Sequence, residues 1–306
     1  MGLFDRFYYG KAGKRDYSEA DMPTNRVSLF FMVFKDRFFD LIKVNLLQLV
    51  FWIPLILWTM LNLLVVQSAD SWDGITNISG ALSGYILTWL IGLVPCILIT
   101  GPSSAGSAYV MRNWAKDQHA FLLSDFKDAF KSNWKQALAV SAMTAFLPVI
   151  IYAAFVFYGD MAKGNPILYL PLAATLSAGL IAALMHPLIY PMIVGYELKL
   201  KDVFKNAFLM SAVQLPKMIL IRLITFIPIG IFIFALWTGN WIVLLIVVLY
   251  YCLIGFALSR LIYASVANGV FDLYLNPRIE GAAVREGLRP KDWDDETDED
   301  EEDADE

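Results

Sequence analysis

No acidic residue stands within any long apolar run of this chain. A carboxylate inside the bilayer is the usual carrier of a coupled proton or sodium ion. Its absence argues against an ion-coupled transporter and against an intramembrane aspartyl protease. Cysteine is nearly missing: Cys96 and Cys252 are the only two, and both lie inside apolar runs. They read as small buried hydrophobes, forming neither a disulfide framework nor a zinc site. Histidine occurs twice, as His119 in a polar connection and as His186 just before a proline. There is no His-Glu-x-x-His, no Gly-x-Ser-x-Gly and no Gly-x-x-x-x-Gly-Lys-Ser/Thr phosphate loop. The chain is therefore expected not to be an enzyme, and no cofactor, metal or nucleic acid is expected to bind.

Charge is scarce as well. Charged residues make up 17% of the chain and hydrophobic residues 58%, against about 25% and about 45–50% in soluble domains. Six apolar runs account for this, at 44–66, 82–104, 137–158, 167–194, 218–238 and 241–263. Each approaches or exceeds the ~20 residues needed to cross a hydrocarbon core of about 30 Å as a helix. A β-barrel would alternate apolar and polar residues, and 242–251 (IVLLIVVLYY) does not.

The basic residues are missing from one set of loops. The connections 67–81, 159–166 and 239–240 hold one basic residue between them, Lys163. The segments before the first run and after the second, fourth and sixth are basic. Lys and Arg resist translocation, so they mark the cytoplasmic side and predict both termini inside. The net charge of −5 hides this asymmetry, because 292–306 carries twelve acids and no base, and the remainder of the chain is +7. That stretch reads as a disordered cytoplasmic tail. The expected organisation is a cytoplasmic N-terminal segment with an interfacial helix at 1–43, a six-helix membrane domain at 44–291 and the acidic tail at 292–306.

The inner segments share a motif, Lys-Asp-x-Phe. It occurs as Lys35, Asp36 and Phe38, as Lys127, Asp128 and Phe130, and as Lys201, Asp202 and Phe204, each time shortly before an odd-numbered run. A proline follows within each run, at Pro54, Pro148 and Pro228. The even runs share a weaker signature near their inner ends, Leu188-Ile189-Tyr190 and Leu261-Ile262-Tyr263, with Tyr109 in a comparable place. The expected fold is thus all-α: six transmembrane helices as three parallel-repeat hairpins, each preceded by a cytoplasmic amphipathic helix. In 122–137 the stripe Phe126, Phe130, Trp134 and Ala137 has helical spacing, with Lys127, Lys131 and Lys135 mostly on other faces. Such a helix suits the headgroup plane or a docking partner. The three motifs and Trp134 are the candidate partner-binding residues.

Few polar groups lie inside the runs. Arg222 is about one turn into the fifth and Arg260 about one turn from the inner end of the sixth, close enough for both to snorkel to the cytoplasmic interface. Alternatively, together with His186 they form a polar path or a basic pocket for an anionic headgroup or solute. Asn62 and Gln48 are expected to bond neighbouring helices. The small residues from Thr100 to Gly106 favour close helix approach.

Three segments resemble YesL-like membrane proteins, a bacterial family of unknown function: the start MGLFDRF at 1–7, ITGPSSAGSAYVM at 99–111, and DFKDAFKSNWKQA at 125–137. The closing Asn276-Pro277-Arg278-Ile279-Glu280-Gly281 is also similar, so the resemblance spans most of 1–290. The connection 67–81 is longer than the family's first hairpin loop, and the acidic tail is an addition. The resemblance implies a multi-pass protein of the bacterial plasma membrane, in contact with membrane lipids. It also implies an accessory or regulatory role in ATP-driven carbohydrate uptake, with an ABC-type transporter subunit as partner. It brings no catalytic residues. The rival reading is a stand-alone transporter or channel for a small polar or anionic solute.

Overall fold

A computed structural model describes residues 22–68 and 77–290. The motif at 1–7 and the acidic stretch 292–306 lie outside the described residues. Among those described there is no strand. The described residues form ten α-helices in order: α1 Arg26–Asp36, α2 Phe38–Gln67, α3 Ile78–Leu98, α4 Thr100–Trp114, α5 Leu122–Met161, α6 Tyr169–Gly195, α7 Leu200–Val213, α8 Leu215–Thr238, α9 Trp241–Tyr250 and α10 Phe256–Tyr274. A single π turn, Tyr251–Gly255, joins α9 to α10. Among the described residues, six stretches are long and apolar enough to cross a membrane: Phe38–Val66, Ile78–Leu98, Leu122–Met161, Pro166–Gly195, Leu215–Thr238 and Trp241–Arg278.

These spans stand in a ring in chain order. α2 packs on α3, α3 on α5, α5 on α6, α6 on α8 and α8 on α9; the π turn and α10 return to α2. The second apolar run is not one helix. It breaks at Ile99, and α4 turns into the interior at the end of the ring that carries the basic segments. Its small residues make this possible. A Cβ on Gly101 would come within 2.5 Å of the Ala137 carbonyl oxygen, and one on Gly106 within 2.8 Å of that of Phe126. Backbone meets backbone along α4 and α5, as small residues allow in lipid, and Ser141 Oγ donates to Leu98 O at 2.9 Å. Nearly all of α4 is buried, among them Ala105, Ala108, Val110 and Met111. Ala105 and Ala108 join one apolar core with Leu188, Ile189 and Phe271; Val110 and Met111 join a second with Leu29, Leu41 and Leu261.

One amphipathic segment is not the separate helix expected before its span. Residues 122–137 are continuous with the span, as one 40-residue helix. Part of their apolar side faces protein, where Phe126, Ala129 and Ala137 are buried because the glycines of α4 leave room for them, while Trp134 stays at the surface. α1 and α7 likewise bury Leu29 and Val33, and Val203, Ala207 and Met210.

The last described segment closes over the same end. Arg26 donates to Asp272 at 2.6 Å and to the carbonyl oxygens of Ala115 and Glu286 at 3.1 and 2.9 Å. Glu286 also pairs with Lys116, and accepts from Gln118 Nε2 at 2.9 Å. Burial pushes the Lys116 ammonium below the usual lysine range and Arg112 adds to this, while Glu286 opposes it. Asn276, from the motif that closes the resemblance, accepts from Tyr196 Oη at 2.5 Å and donates to Asp272 at 2.8 Å.

Candidate functional site

The ring encloses a cavity of about 1100 Å³, lined by residues from every span. Its walls are mostly apolar, with Trp52, Trp89, Leu147, Phe155 and Phe226 among them. Its polar groups gather where α4 begins: Thr100 and Ser104 from α4, His186 and Tyr190 from α6, Arg222 and Thr225 from α8, and Arg260 and Tyr263 from α10. On the far side of this floor lie the two packed cores. The cavity is blind at that end.

The arginines do not snorkel. Depth along a helix sets how far a side chain is from the interface, but helical phase sets whether it faces lipid. Arg222 shares a face of α8 with Thr225, Phe226 and Ile229, at intervals of three, four and seven, and all four line the cavity. Pro187 explains one of its contacts. Proline has no N–H, so the carbonyl four residues earlier loses its helical donor. That carbonyl is Ala183 O, and Arg222 Nε donates to it at 2.5 Å. Arg222 Nη1 donates to Tyr263 Oη at 2.9 Å, which donates on to Thr225 Oγ1 at 3.1 Å. Its guanidinium lies over the rings of Tyr263 and Phe226, at 5.4 and 5.5 Å. Arg260 lies over the Tyr190 ring at 4.8 Å and donates from Nη2 to Ser104 Oγ at 2.6 Å. Both arginines thus use aromatic faces, the cation–π arrangement guanidinium favours.

His186 sits edge-on to Tyr190 and Tyr263, with ring centroids 5.5 and 6.3 Å away, and its Nδ1 is buried without a partner. Among the described residues the cavity lining contains no Asp or Glu. The four described ion pairs, Arg26–Asp272, Lys43–Asp40, Lys116–Glu286 and Lys163–Asp160, leave both cavity arginines without a carboxylate. Two positive charges face an apolar cavity with no counter-charge among the described residues.

The structure therefore brings the proposed polar path, His186, Arg222 and Arg260, into one site. Sequence reasoning missed Ser104 and Thr225. Tyr190 and Tyr263 had a signal in the shared Leu-Ile-Tyr ends of the even runs, which place each tyrosine beneath an arginine. Of the other expected polar contacts, Asn62 accepts from Tyr85 Oη at 2.9 Å on the neighbouring span, and Gln48 lines the cavity.

The partner-binding candidates occupy three different settings. Lys35 and Asp36 end α1 and are exposed, and Phe38 begins α2. Lys127 and Asp128 are exposed on α5, while Phe130 is half-buried with its ring 5.6 Å from that of Phe51. Lys201, Asp202 and Phe204 lie in the first turns of α7; Lys201 is exposed and Phe204 packs on the core. Trp134 is 46% exposed, with Lys135 Nζ 5.6 Å from its ring. Phe130 and Phe204 thus serve internal packing, and Phe38 and Trp134 remain at the surface.

Comparison with known proteins gives a partial answer. No curated protein and no solved structure matches the chain. One family does match, over residues 56–155, from the second half of α2 to near the end of α5. The match includes two of the segments that carry the resemblance, 99–111 and 125–137, and Ser104 of the cavity floor; His186, Arg222 and Arg260 lie beyond it. Residues 56–155 thus match the model of the family described as Protein of unknown function, DUF624, consistent with the resemblance to YesL-like membrane proteins.

Proposed function

We propose that this protein is a non-enzymatic, multi-pass membrane protein that binds an anionic ligand in its central cavity. One observation carries the reading: Arg222 and Arg260 face a cavity lined by no acid among the described residues. A charged group held away from water costs several kcal/mol unless it is paired. A chain that retains two such groups side by side has a use for them, and an anion that supplies the missing charge is the simplest one. Guanidinium suits this role, because its planar fork matches the oxygens of phosphate or carboxylate. The packed floor of α4 supports a binding site rather than an open pore.

The distribution of Lys and Arg supports a cytoplasmic location for the blind end, with three hairpins entering from that side. The resemblance supports the bacterial plasma membrane. A second reading is an accessory role in ATP-driven carbohydrate uptake, with a transporter subunit on the basic face. It is favoured by the exposure of Trp134 and Phe39, at 46% and 78%, beside exposed lysines.

The anion reading is tested by thermal unfolding of the detergent-purified chain in millimolar inorganic phosphate, with ionic strength matched by chloride. Phosphate at ten times its dissociation constant stabilises by about 1.4 kcal/mol, and the melting temperature should rise accordingly. Glucose should leave it unchanged. The rise should vanish when Arg222→Gln and Arg260→Gln are combined. An equal rise in that double variant would remove the reading.

A further inference from the structure

We infer that the ligand is an anionic amphiphile: a phosphate-bearing headgroup bound by Arg222 and Arg260, with its apolar chain along the cavity wall. This rests on the anion reading above and adds the chemical class of the whole ligand.

The headgroup follows from the donors that remain. Two guanidiniums offer ten N–H bonds, of which three are used, on Ala183 O, Tyr263 Oη and Ser104 Oγ. The rest are not sealed in protein. Among the described residues, buried guanidinium nitrogens without partners occur at Arg26, Arg112 and Arg285, but not at Arg222 or Arg260. The free nitrogens of both cavity arginines are therefore accessible, and the cavity is what they line. Several donors and two positive charges at one floor fit a phosphate, which brings several acceptor oxygens and one or two negative charges.

The chain follows from the walls and the size. Beyond the floor, the lining runs past Trp52, Trp89, Leu147 and Phe226 to Phe155, six residues short of the end of α5 at Met161. A sugar placed there would leave most of its hydroxyls without partners, at about 1–3 kcal/mol each. A hydrocarbon chain gains about 0.8 kcal/mol for each CH₂ removed from water. A water molecule takes about 30 Å³ of liquid. A free phosphate ion, only a few times larger, would occupy a small part of a cavity of about 1100 Å³. Cationic floor and greasy wall together describe one molecule with both characters.

Phosphate can come from a lipid headgroup or from the free ion, and titration calorimetry on the detergent-purified full chain separates the two. The probes are dioctanoyl phosphatidic acid, dioctanoylglycerol and inorganic phosphate. Phosphatidic acid should bind at least tenfold more tightly than inorganic phosphate, and dioctanoylglycerol should not bind measurably. Arg222→Gln and Arg260→Gln should each weaken phosphatidic acid at least tenfold. Leu147→Trp, which fills wall space and leaves the arginines in place, should weaken phosphatidic acid at least threefold and leave inorganic phosphate unchanged. Arg260→Lys, which keeps the charge without the fork, guards against loss through misfolding and should bind between wild type and Arg260→Gln. Arginine-dependent binding of inorganic phosphate as tight as that of phosphatidic acid would overturn the amphiphile and leave the anion site standing. Binding of phosphatidic acid unchanged by either glutamine substitution would overturn both.

Discussion

Asn45→Leu is expected to lower the unfolding free energy by about 3 kcal/mol or more, through loss of hydrogen bonds at one point in the ring. Asn45 is fully buried on α2, opposite the π turn between α9 and α10. A π turn inserts one residue and leaves backbone groups there without their usual helical partners. Asn45 supplies four of them. Its Nδ2 donates to Tyr251 O and Cys252 O, both at 2.9 Å, and its Oδ1 accepts from Phe256 N at 2.9 Å and Ala257 N at 3.1 Å. Leucine keeps the branching and the number of heavy atoms but is bulkier, so any overpacking adds to the loss of hydrogen bonds. In lipid no water replaces the lost partners. The turn also bears on the site. One inserted residue rotates the following helix face by roughly 100°, and Arg260 lies just beyond it. Asn45→Leu should therefore weaken anion binding as well as stability. Denaturant unfolding and phosphate-dependent melting measure the two effects, and an unchanged midpoint would mean that Asn45 does not hold the turn.

Arg260→Met is expected to do the opposite to the ligand-free protein while removing anion binding. The arginine's hydrogen bond goes to Ser104 Oγ, which is itself anchored by donation to Thr100 O at 2.8 Å. An unpaired charge held away from water costs several kcal/mol, so an apolar side chain in its place relieves the ligand-free protein of that cost. The ligand-free melting temperature should stay level or rise, and the phosphate-dependent rise should be lost. Arg222→Met should differ, because it orphans the Ala183 carbonyl that Pro187 releases; a loss of about 1–3 kcal/mol is expected there. If Arg260→Met instead destabilised the ligand-free protein by as much as Arg222→Met, Arg260 would be a structural residue and the anion reading would lose its main support.

The number of long helices and their approximate places were legible because lipid imposes a length and an apolar composition that can be counted along the chain. The break at Ile99 was not. Run 82–104 is apolar throughout, and only its small residues hinted that α4 would leave the wall and enter the interior. The stripe through Phe126 and Ala137 had a helical period whether it faced lipid or protein, and the glycines of α4 decided for protein. Arg222 and Arg260 were conspicuous as charges inside apolar runs. Their direction depended on phase relative to Thr225, Phe226 and Tyr263, and on a carbonyl freed by Pro187, contacts between helices far apart in sequence. Asn45 was visible as one polar residue at the start of a run, but its partners lie more than 200 residues away.

The most direct measurement is an electron cryo-microscopy map of the full chain in nanodiscs made with its native lipids. The expected result is density in the cavity within hydrogen-bonding distance of both the Arg222 and Arg260 guanidiniums, continuing as an elongated feature past Leu147 and Phe155, and absent from an Arg222→Gln, Arg260→Gln double variant. An empty cavity, with either arginine extended to the headgroup region, would contradict it.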